Sequence, residues 1–565
     1  MSRIFCEHIK REVQSLDGAW NFCIDKNDIG TAEGWEKGLK NHETVSVPSV
    51  WNEEKGLLDY EGAAWYEKKF YSHEGTLRIC FGAVMTEADV WLDGEKLGYH
   101  YGGFTQFDFI VNHVSEGWHT LSVRVDNRFD EHSMPQQKVD WYHYGGIIRS
   151  VEVEMLEGIC VLSKRLEYTL SEDLTKVSGH FVLECYNASD ELRTEKLNIK
   201  IGDKTVFESE ISVKGRTTSE LITPEFTLDD ISLWDIDSPK LYNVAIDTES
   251  DDLFDRVGFR KVEVVEGKIL INKKAVELHG VNRHEEYPSF GFAFPQSRAK
   301  HDIDMIVELG CNTIRGSHYP NSQYFVDLLD ERGILFWSEI PIWGCGFSEE
   351  ALGDEIVVNR GLEMHREMLK YYYDHPSIII WGMHNEILTE TQNAYEMSRT
   401  YYNFLKEHGG NRIVTYASHR SFDDNCFEFC DVISLNMYFG WYNGGIERWD
   451  SFVEEFARHR EKLGYGNKPI IFSEFGGGAL YGFHDAECAK WSEEYQAKML
   501  EHSLKIFHAH PEVAGMYIWQ YADIRTCKEM GNDRARGFNN KGILNEHRRP
   551  KLAYYAVKNC YDNFK

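Results

Sequence analysis

Two short apolar runs decide how the C-terminal half of this chain folds, Ser377-Ile-Ile-Ile-Trp-Gly-Met-His-Asn-Glu386 and Pro469-Ile-Ile-Phe-Ser-Glu474. Each run has the length and composition of a fully buried strand and ends in a glutamate. In a parallel (β/α) barrel, catalytic groups lie where the strands open into loops. A pair of facing carboxylates there is the usual apparatus for cleaving a glycosidic bond. The two runs therefore predict a barrel with Glu386 and Glu474 at its mouth.

The rest of the C-terminal half alternates strand-length apolar runs with helical patterns. The candidate strands are Val276–Gly280, Asn312–Arg315, Ile334–Ile340, Ile378–Met383, Arg412–Ala417, Val432–Asn436, Pro469–Ser473 and Val513–Gln520. Helix-like stretches include Arg298–Leu309, Tyr324–Glu331, Gly361–Tyr373 and Ala489–Ala509. Eight such units without a sequence repeat predict a closed (β/α)8 TIM barrel over 263–565. An open doubly wound sheet is disfavoured because no Gly-rich phosphate loop follows the first strand.

The N-terminal half consists of short alternating segments between Gly, Asn and Asp turns. Over residues 1–156 this pattern predicts a jelly-roll β-sandwich, with strands such as Thr76–Phe81 and Leu121–Asn127. Over 157–262 the alternation continues with fewer aromatic residues, and the length suits one immunoglobulin-like β-sandwich. The predicted fold class is thus multidomain, two β-sandwiches followed by an α/β barrel.

Charge and cysteine usage restrict the partners and the compartment. A formal net charge of −31 argues against nucleic acid or an anionic membrane as partner. The 12 cysteines are scattered without CxxC pairs, which is typical of free thiols in a reducing compartment. The N-terminus lacks the apolar stretch of a signal peptide, and no later run resembles a membrane span. We expect a cytoplasmic protein.

The two glutamates suit complementary chemical roles. Glu386 is expected to have a raised pKa from burial and to protonate the leaving oxygen. Asn385 precedes it and can donate to a sugar hydroxyl such as the 2-OH. Glu474 is followed by three glycines, which let a sugar ring approach closely, and it would attack the anomeric carbon. Facing groups about 5–5.5 Å apart would give net retention of configuration.

Motifs along the whole chain resemble glycoside hydrolase family 2. Ser15–Phe22 and Tyr144–Arg149 are similar to its N-terminal sugar-binding domain, and Leu233–Tyr242 to the end of its middle sandwich. Leu278–Glu285 and Arg315–Pro320 look like its first two barrel strands. The resemblance implies that Glu386 is the acid/base and Glu474 the nucleophile.

The family contains β-galactosidases, β-mannosidases and β-glucuronidases, so the substrate depends on a smaller motif. Gly537-Phe-Asn-Asn-Lys-Gly542 is similar to the Asn-x-Lys-Gly element with which β-glucuronidases of this family hold the C6 carboxylate. Physical chemistry agrees, because a uronate entering a strongly anionic protein needs a directed cation and hydrogen-bond donors. Lys541 supplies the charge and Asn539 an amide. A neutral C6 hydroxyl, as in a galactoside, would leave a buried lysine unpaired.

The same resemblance implies roles for further residues. Tyr438 would orient the nucleophile, Tyr442 would reach the carboxylate and Trp519 would form the floor beneath the sugar. Asp140 would reach in from the N-terminal domain to sugar hydroxyls. The remaining pocket residues expected to bond to the sugar are His284 and His318.

Metals and cofactors are not expected to take part in catalysis. His284, His318 and His384 form a candidate metal cluster, but no pair has helical i, i+4 spacing and retaining hydrolysis needs no metal. No motif indicates a nucleotide or flavin, although a peripheral flavin mononucleotide would leave no trace in the sequence.

Two features depart from the family pattern. The segment 344–358 is short, whereas some gut bacterial β-glucuronidases carry a long loop there, so we expect an open mouth. The basic residue upstream of Asn539 is either Arg534 or Arg536.

The sequence therefore predicts a retaining, exo-acting β-D-glucuronidase acting on small or oligosaccharide β-glucuronides through a covalent glycosyl-enzyme intermediate. A β-galacturonidase, a β-galactosidase and a non-catalytic carbohydrate-binding protein on the same scaffold remain the alternatives. The family resemblance also implies a homo-oligomer, a dimer or a tetramer.

Overall fold

The computed structural model describes residues 3–344 and 346–564 and contains three structural units. The first unit is a sandwich of two antiparallel sheets. One sheet has the order β1 (Val13–Ser15), β12 (Val151–Leu156), β5 (Gly75–Phe81), β9 (Phe107–Val114). The other has the order β3 (Glu43–Val47), β2 (Gly18–Asp25), β4 (Ala63–Ser72), β10 (Gly117–Asp126), β7 (Glu87–Leu92), β8 (Glu95–Tyr101). A short helix α1 (Gly30–Glu33) and the pair β6 (Val84–Met85) and β11 (Gly146–Ile147) complete the unit. Its apolar core lies between the sheets.

The second unit is a smaller sandwich with a separate core. One sheet contains β13 (Ile159–Leu170), β14 (Lys176–Asn187) and β17 (Thr218–Ile222), with β18 (Phe226–Asp229) also on β14. The other has the order β16 (Lys204–Val213), β15 (Arg193–Ile201), β19 (Tyr242–Asp247), β20 (Asp252–Val257). A three-stranded sheet, β21 (Val262–Val265), β22 (Lys268–Ile271) and β23 (Lys274–Ala275), leads into the third unit.

The third unit is a closed parallel barrel. Its strands are β24 (Leu278–Arg283), β25 (Thr313–Gly316), β26 (Leu335–Glu339), β27 (Ile378–Asn385), β28 (Ile413–Ser418), β29 (Ile433–Asn436), β30 (Ile470–Phe475) and β31 (Val513–Ile518). The surrounding helices are α2 (Gln296–Glu308), α3 (Gln323–Arg332), α4 (Glu349–Leu352), α5 (Glu355–Tyr372), α6 (Gln392–His408), α7 (Trp449–Lys462), α8 (Glu493–Ala509) and α9 (Leu552–Asn563). The short pair β32 (Ile524–Arg525) and β33 (Phe538–Asn539) follows the last strand.

The predicted fold class is confirmed, and the barrel strands are buried as the sequence indicated. Every residue of β27 and β30 is buried, because the barrel interior covers one face and the helices cover the other. The helices among the described residues are too short or too polar to cross a membrane.

Three predicted element boundaries differ from the structure by three residues or more. The first strand ends at Arg283 rather than Gly280, because Asn282 and Arg283 still pair with the second strand. Helix α5 begins at Glu355 rather than Gly361, since the Asp354 carboxylate caps it by accepting from two backbone N–H groups. Helix α8 begins at Glu493 rather than Ala489, capped in the same way by the Ser492 hydroxyl.

The short segment after the third barrel strand contains helix α4. Cys345, within this predicted open-mouth segment, lies outside the described residues.

Candidate active site

The two predicted catalytic glutamates lie at the carboxyl ends of the fourth and seventh barrel strands. Glu386 directly follows β27, and Glu474 is the penultimate residue of β30. Glu474 is 3% exposed, whereas Glu386 is partly exposed. The backbone of Glu386 has a φ of 55°, a left-handed conformation that costs a non-glycine residue about 1–3 kcal/mol. Such strain is typical of functional positions that the surrounding structure holds in place.

A fully buried arginine anchors Glu474. Arg315, on the second barrel strand, donates from Nη1 to Oε1 of Glu474 over 2.8 Å. Its Nε and Nη2 donate to the two carboxylate oxygens of Glu339, each over 2.9 Å. The hydroxyl of Tyr438 donates to Oε2 of Glu474 over 2.6 Å. Each oxygen of Glu474 therefore accepts one directed hydrogen bond, which fixes the carboxylate and favours its ionised form.

Glu474 nevertheless holds a proton more tightly than an ordinary carboxyl group. Burial first, and then the negative charge of Glu386, raise the pKa of Glu474 to about 8, while Arg315 and Tyr438 act in the opposite direction. Sequence reasoning expected a raised pKa at Glu386 and did not foresee that burial would raise the pKa of Glu474.

Two asparagines and Arg315 connect the glutamates. Nδ2 of Asn436 donates to Oε1 of Glu386 over 2.8 Å and to Oδ1 of Asn385 over 3.1 Å. Nη2 of Arg315 also donates to Oδ1 of Asn385, over 2.7 Å. The amide of Asn385 is thereby oriented, and its buried Nδ2 has no hydrogen-bond partner in the described part of the chain. An oriented, unused donor beside Glu386 suits a sugar hydroxyl.

Two neutral histidines and a tryptophan form one wall of the site. The ring of His318 stacks on Trp519 with centroids 5.1 Å apart, and His284 meets Trp519 edge-on at 5.5 Å. Burial lowers the pKa of both histidines well below its usual range, so both are neutral. Nδ1 of His318 donates to Oε1 of Glu339 over 2.6 Å. The Nε2 atoms of both histidines are buried without a hydrogen-bond partner among residues 3–344 and 346–564.

The third histidine of the candidate metal cluster is not part of this wall. Nε2 of His384 bonds to the Ser398 hydroxyl on helix α6, and its ring packs against Tyr416. Within the described residues, the His, Cys, Asp and Glu groups close enough to share an ion do not include His284, His318 or His384.

Lys541 is a buried cation that has no countercharge among the described residues. Its side chain is 3% exposed, and Nζ donates to the Tyr442 hydroxyl over 2.7 Å. The ammonium lies 5.6 Å and 4.9 Å from the ring centroids of Tyr438 and Tyr442. In the described residues, no carboxylate lies at ion-pair distance from it. Because an isolated buried charge is costly, this arrangement favours an anionic ligand.

Asp140 reaches the barrel from the N-terminal sandwich, next to Lys541. It accepts from Nη2 of Arg534 over 2.7 Å, from Nδ2 of Asn539 over 2.9 Å and from the Thr526 hydroxyl over 3.2 Å. One N–H of the Asn539 amide is therefore occupied by Asp140, and the second N–H is the one that a ligand would use.

The two arginines that the sequence left ambiguous differ in position. Arg534 also donates to the Tyr442 hydroxyl over 3.3 Å, so it belongs to the group around Lys541. Arg536 instead bonds to Glu546 and to Oδ1 of Asn540.

Sequence reasoning did not assign a role to several residues that organise this site. Glu339 is the last residue of the third barrel strand and Glu474 the penultimate residue of the seventh, so the same strand-end pattern would have found Glu339. Arg315 is a charged residue in an apolar strand, which is itself a signal of a buried ion pair. The position of Asn436 could not be read from a motif.

Comparison with protein families gives two matches. The model for "Glycosyl hydrolases family 2, TIM barrel domain" matches residues 262–565, and the model for "Glycosyl hydrolases family 2" matches residues 164–260. The first alone covers more than half of the chain.

Individual relatives match over nearly the whole chain. A β-galacturonidase structure from Eisenbergiella tayi, bound to galacturonate, is 32% identical with a TM-score of 0.92, covering 100% of this chain and 99% of that one. A β-glucuronidase structure from Ruminococcus gnavus is 27% identical with a TM-score of 0.88 and the same coverage. A β-glucuronidase from Streptococcus agalactiae is 25% identical over 97% of this chain and 96% of its own. With its barrel, its paired glutamates and these matches, the chain is an enzyme of glycoside hydrolase family 2.

Proposed function

We propose that the enzyme is a retaining, exo-acting β-D-glucuronidase that works through a covalent glycosyl-enzyme intermediate. The observation that carries the substrate assignment is the buried Lys541 ammonium, which has no carboxylate partner in the described residues. It lies beside Tyr438 and Tyr442 in the pocket that contains the two glutamates. A glucuronide would supply the missing negative charge through its C6 carboxylate. The β-glucuronidases among its relatives support this proposal.

The first chemical step forms a bond between Glu474 and the sugar. An ionised oxygen of Glu474 attacks the anomeric carbon while the bond to the leaving oxygen breaks, and Glu386 gives its proton to that oxygen. This step needs Glu474 in its ionised form, which the hydrogen bonds from Arg315 and Tyr438 favour against the effect of burial. The aglycone leaves as a neutral alcohol.

The second step releases the sugar. Glu386, now ionised, takes a proton from a water molecule, whose oxygen attacks the anomeric carbon and breaks the bond to Glu474. The products are β-glucuronic acid and an enzyme in its starting state. Asn385, held by Arg315 and Asn436, would donate to the 2-OH through both steps.

Recognition of the uronate would use the group around Lys541. The ammonium and the free N–H of Asn539 would bind the carboxylate, with the Tyr442 hydroxyl next to them. Asp140 and the Nε2 atoms of His284 and His318 would bond to sugar hydroxyls, and Trp519 would pack beneath the ring.

β-Galacturonide hydrolysis is the second candidate, favoured by the 32% identity to the galacturonate-bound enzyme from Eisenbergiella tayi. Galacturonate carries the same carboxylate and differs at C4, so Lys541 serves either sugar. The deciding experiment compares kcat/KM for 4-nitrophenyl β-D-glucuronide, β-D-galacturonide and β-D-galactoside. We expect the glucuronide to be turned over best. Preference for the galacturonide would support the second candidate, preference for the galactoside would refute the uronate assignment, and no turnover would indicate a carbohydrate-binding protein.

The cellular setting is part of the same proposal. We propose that no metal or cofactor is needed, because two carboxyl groups suffice for retaining hydrolysis. The described cysteines are all free, which supports a reducing, cytoplasmic location. We also propose a homo-oligomer, a dimer or a tetramer, which light scattering coupled to size-exclusion chromatography would test.

A further inference from the structure

A second cluster of ionisable side chains lies at the opposite end of the barrel from the glutamates. Glu277 immediately precedes β24, His279 is the second residue of that strand, and His508 lies in the last turn of helix α8. One ligand atom from each residue lies within 4.8 Å of the others. Because parallel strands all begin at the same end of the barrel, this cluster is remote from the catalytic mouth.

Two of the three separations between donor atoms are close to those found around a metal ion. Oε2 of Glu277 lies 3.0 Å from Nδ1 of His508 and 3.3 Å from Nε2 of His279. Tetrahedral zinc has bonds of about 2.0–2.2 Å, so the edges of its coordination tetrahedron measure about 3.3–3.5 Å. The third pair of ligand atoms, on His279 and His508, lies within 4.8 Å.

The ligands are held in place by the surrounding structure. Asn312 fixes the strand end, since its Nδ2 donates to the Glu277 carbonyl over 2.8 Å and its Oδ1 accepts from the His279 N–H over 2.9 Å. The His279 ring stacks on Tyr561 with centroids 4.9 Å apart, and the His508 ring stacks on Phe564 at 4.0 Å. Both imidazoles are therefore oriented by the C-terminal segment.

His279 is the most buried of the three ligands. Its side chain is 11% exposed, and its Nε2 pairs with Oε2 of Glu277 at 3.3 Å but makes no well-directed hydrogen bond in the described residues. A polar atom in this state is rare in folded proteins and calls for a partner such as an ion.

We propose that Glu277, His279 and His508 form a zinc site at the base of the barrel. Two imidazole nitrogens and a carboxylate are a ligand set that zinc accepts readily, with water in the fourth position. The site would join β24 to helix α8, and helix α8 leads into β31. Strands β24 and β31 are the first and last of the barrel, and they pair where it closes. Its role would be to stabilise this closure, independent of glycoside hydrolysis.

The test measures zinc binding to the chelator-treated enzyme by competition with a chromophoric chelator. We expect the wild-type enzyme to bind one equivalent of Zn²⁺ and its Tm to rise on binding. His508→Ala should lose more than about 100-fold in affinity, since even changes to groups outside the coordination shell cost about 10- to 100-fold. His502→Ala is the matched control, because His502 lies on the same helix and pairs with a carboxylate, Asp450, over 2.8 Å.

Cobalt substitution keeps the proposal testable if a variant folds poorly. The wild-type enzyme with one equivalent of Co²⁺ should show the intense visible bands of a four-coordinate site, and these bands should disappear on adding Zn²⁺. Wild-type enzyme that binds no zinc, or His508→Ala that binds it as tightly as the wild type, would overturn the proposal. Turnover of glycoside substrates should be the same with and without zinc.

Discussion

The hydroxyl of Tyr438 lies 2.6 Å from Oε2 of Glu474 and donates a hydrogen bond to it. This bond opposes the effects of burial and of Glu386 on the pKa of Glu474. Together with the bond from Arg315 to the other oxygen, it stabilises the ionised form of Glu474, although burial gives this carboxyl group a high proton affinity.

Tyr438→Phe removes this bond and leaves the ring in place. We expect kcat to fall by about 10²- to 10³-fold, the cost of losing one preorganised donor. The acidic limb of the pH profile of kcat/KM should move to higher pH, because Glu474 would ionise less readily. Tyr395→Phe is the control, since the Tyr395 hydroxyl bonds to an exposed carboxylate, Glu428, over 2.8 Å. An unchanged profile would mean that Tyr438 does not tune the nucleophile.

Glu474→Gln removes the nucleophile. We expect it to fold normally and to lose activity by several orders of magnitude, about 10⁴-fold or more by analogy with other covalent catalysts. Glucuronide turnover is measured beside the exposed control Glu390→Gln. Near-normal turnover by Glu474→Gln would remove Glu474 from this role.

The same variant should change how stability depends on pH. The pKa of Glu474 is about 8 in the folded protein, against 4.5 for an ordinary glutamate, so the folded state binds the extra proton between these values. The free energy of unfolding of the wild type therefore falls as pH rises through this range. Glutamine does not ionise, so the free energy of unfolding of Glu474→Gln should rise relative to that of the wild type as pH increases, by at most about 1.4 kcal/mol per pH unit. Urea unfolding at pH 5, 6.5 and 8 measures this difference, and a constant difference would contradict the prediction.

Lys541→Met keeps the aliphatic part of the side chain and removes the charge. We expect kcat/KM for the glucuronide to fall by about 30- to 5,000-fold, corresponding to about 2–5 kcal/mol for one partner of a buried charge pair. Any residual galactoside turnover should change little, because its C6 group is neutral. Lys490→Met, an exposed lysine whose Nζ donates to the Trp441 carbonyl, is the control. Equal losses on both substrates would refute the carboxylate role.

Asn385→Ala removes the oriented amide beside Glu386. We expect a loss of about 10²-fold in kcat on the glucuronide, because the bond to the 2-OH strengthens in the transition state. On a 2-deoxy-glucuronide the same variant should lose much less. The comparison forms a cycle that isolates the contact. Equal losses on the two substrates would assign Asn385 to another hydroxyl or to a purely positioning role.

Much of the fold was predictable because its signals are local and repeated. The apolar runs that end in Glu386 and Glu474 are buried on both faces, so their sequences carry the strand pattern without interruption. Boundaries were less predictable where a polar side chain extends or begins an element. Asn282 continues the first barrel strand by pairing with the second, and its amide also bonds to the Ser473 carbonyl two strands away, a contact that no local pattern shows.

The candidate site was predictable in its residue types and less so in its connections. Lys541 could be assigned from a short motif, but only the three-dimensional structure shows that no carboxylate in the described part of the chain pairs with it. The contact of Asp140 with Asn539 joins residues that are 399 positions apart. Arg315 bonds to Glu474, Glu339 and Asn385, which lie on three other strands. Such a set of contacts depends on the order and register of the strands.

The contact of Asp140 with Arg534 and Asn539 has a consequence for how this enzyme can be modified. The first sandwich contributes a carboxylate to the pocket, so the barrel is not an interchangeable module. Grafting residues 263–565 onto a foreign scaffold would leave Arg534 and Asn539 without the group that orients them. Directed evolution toward a new sugar should therefore mutate both sides of this domain boundary in the same library.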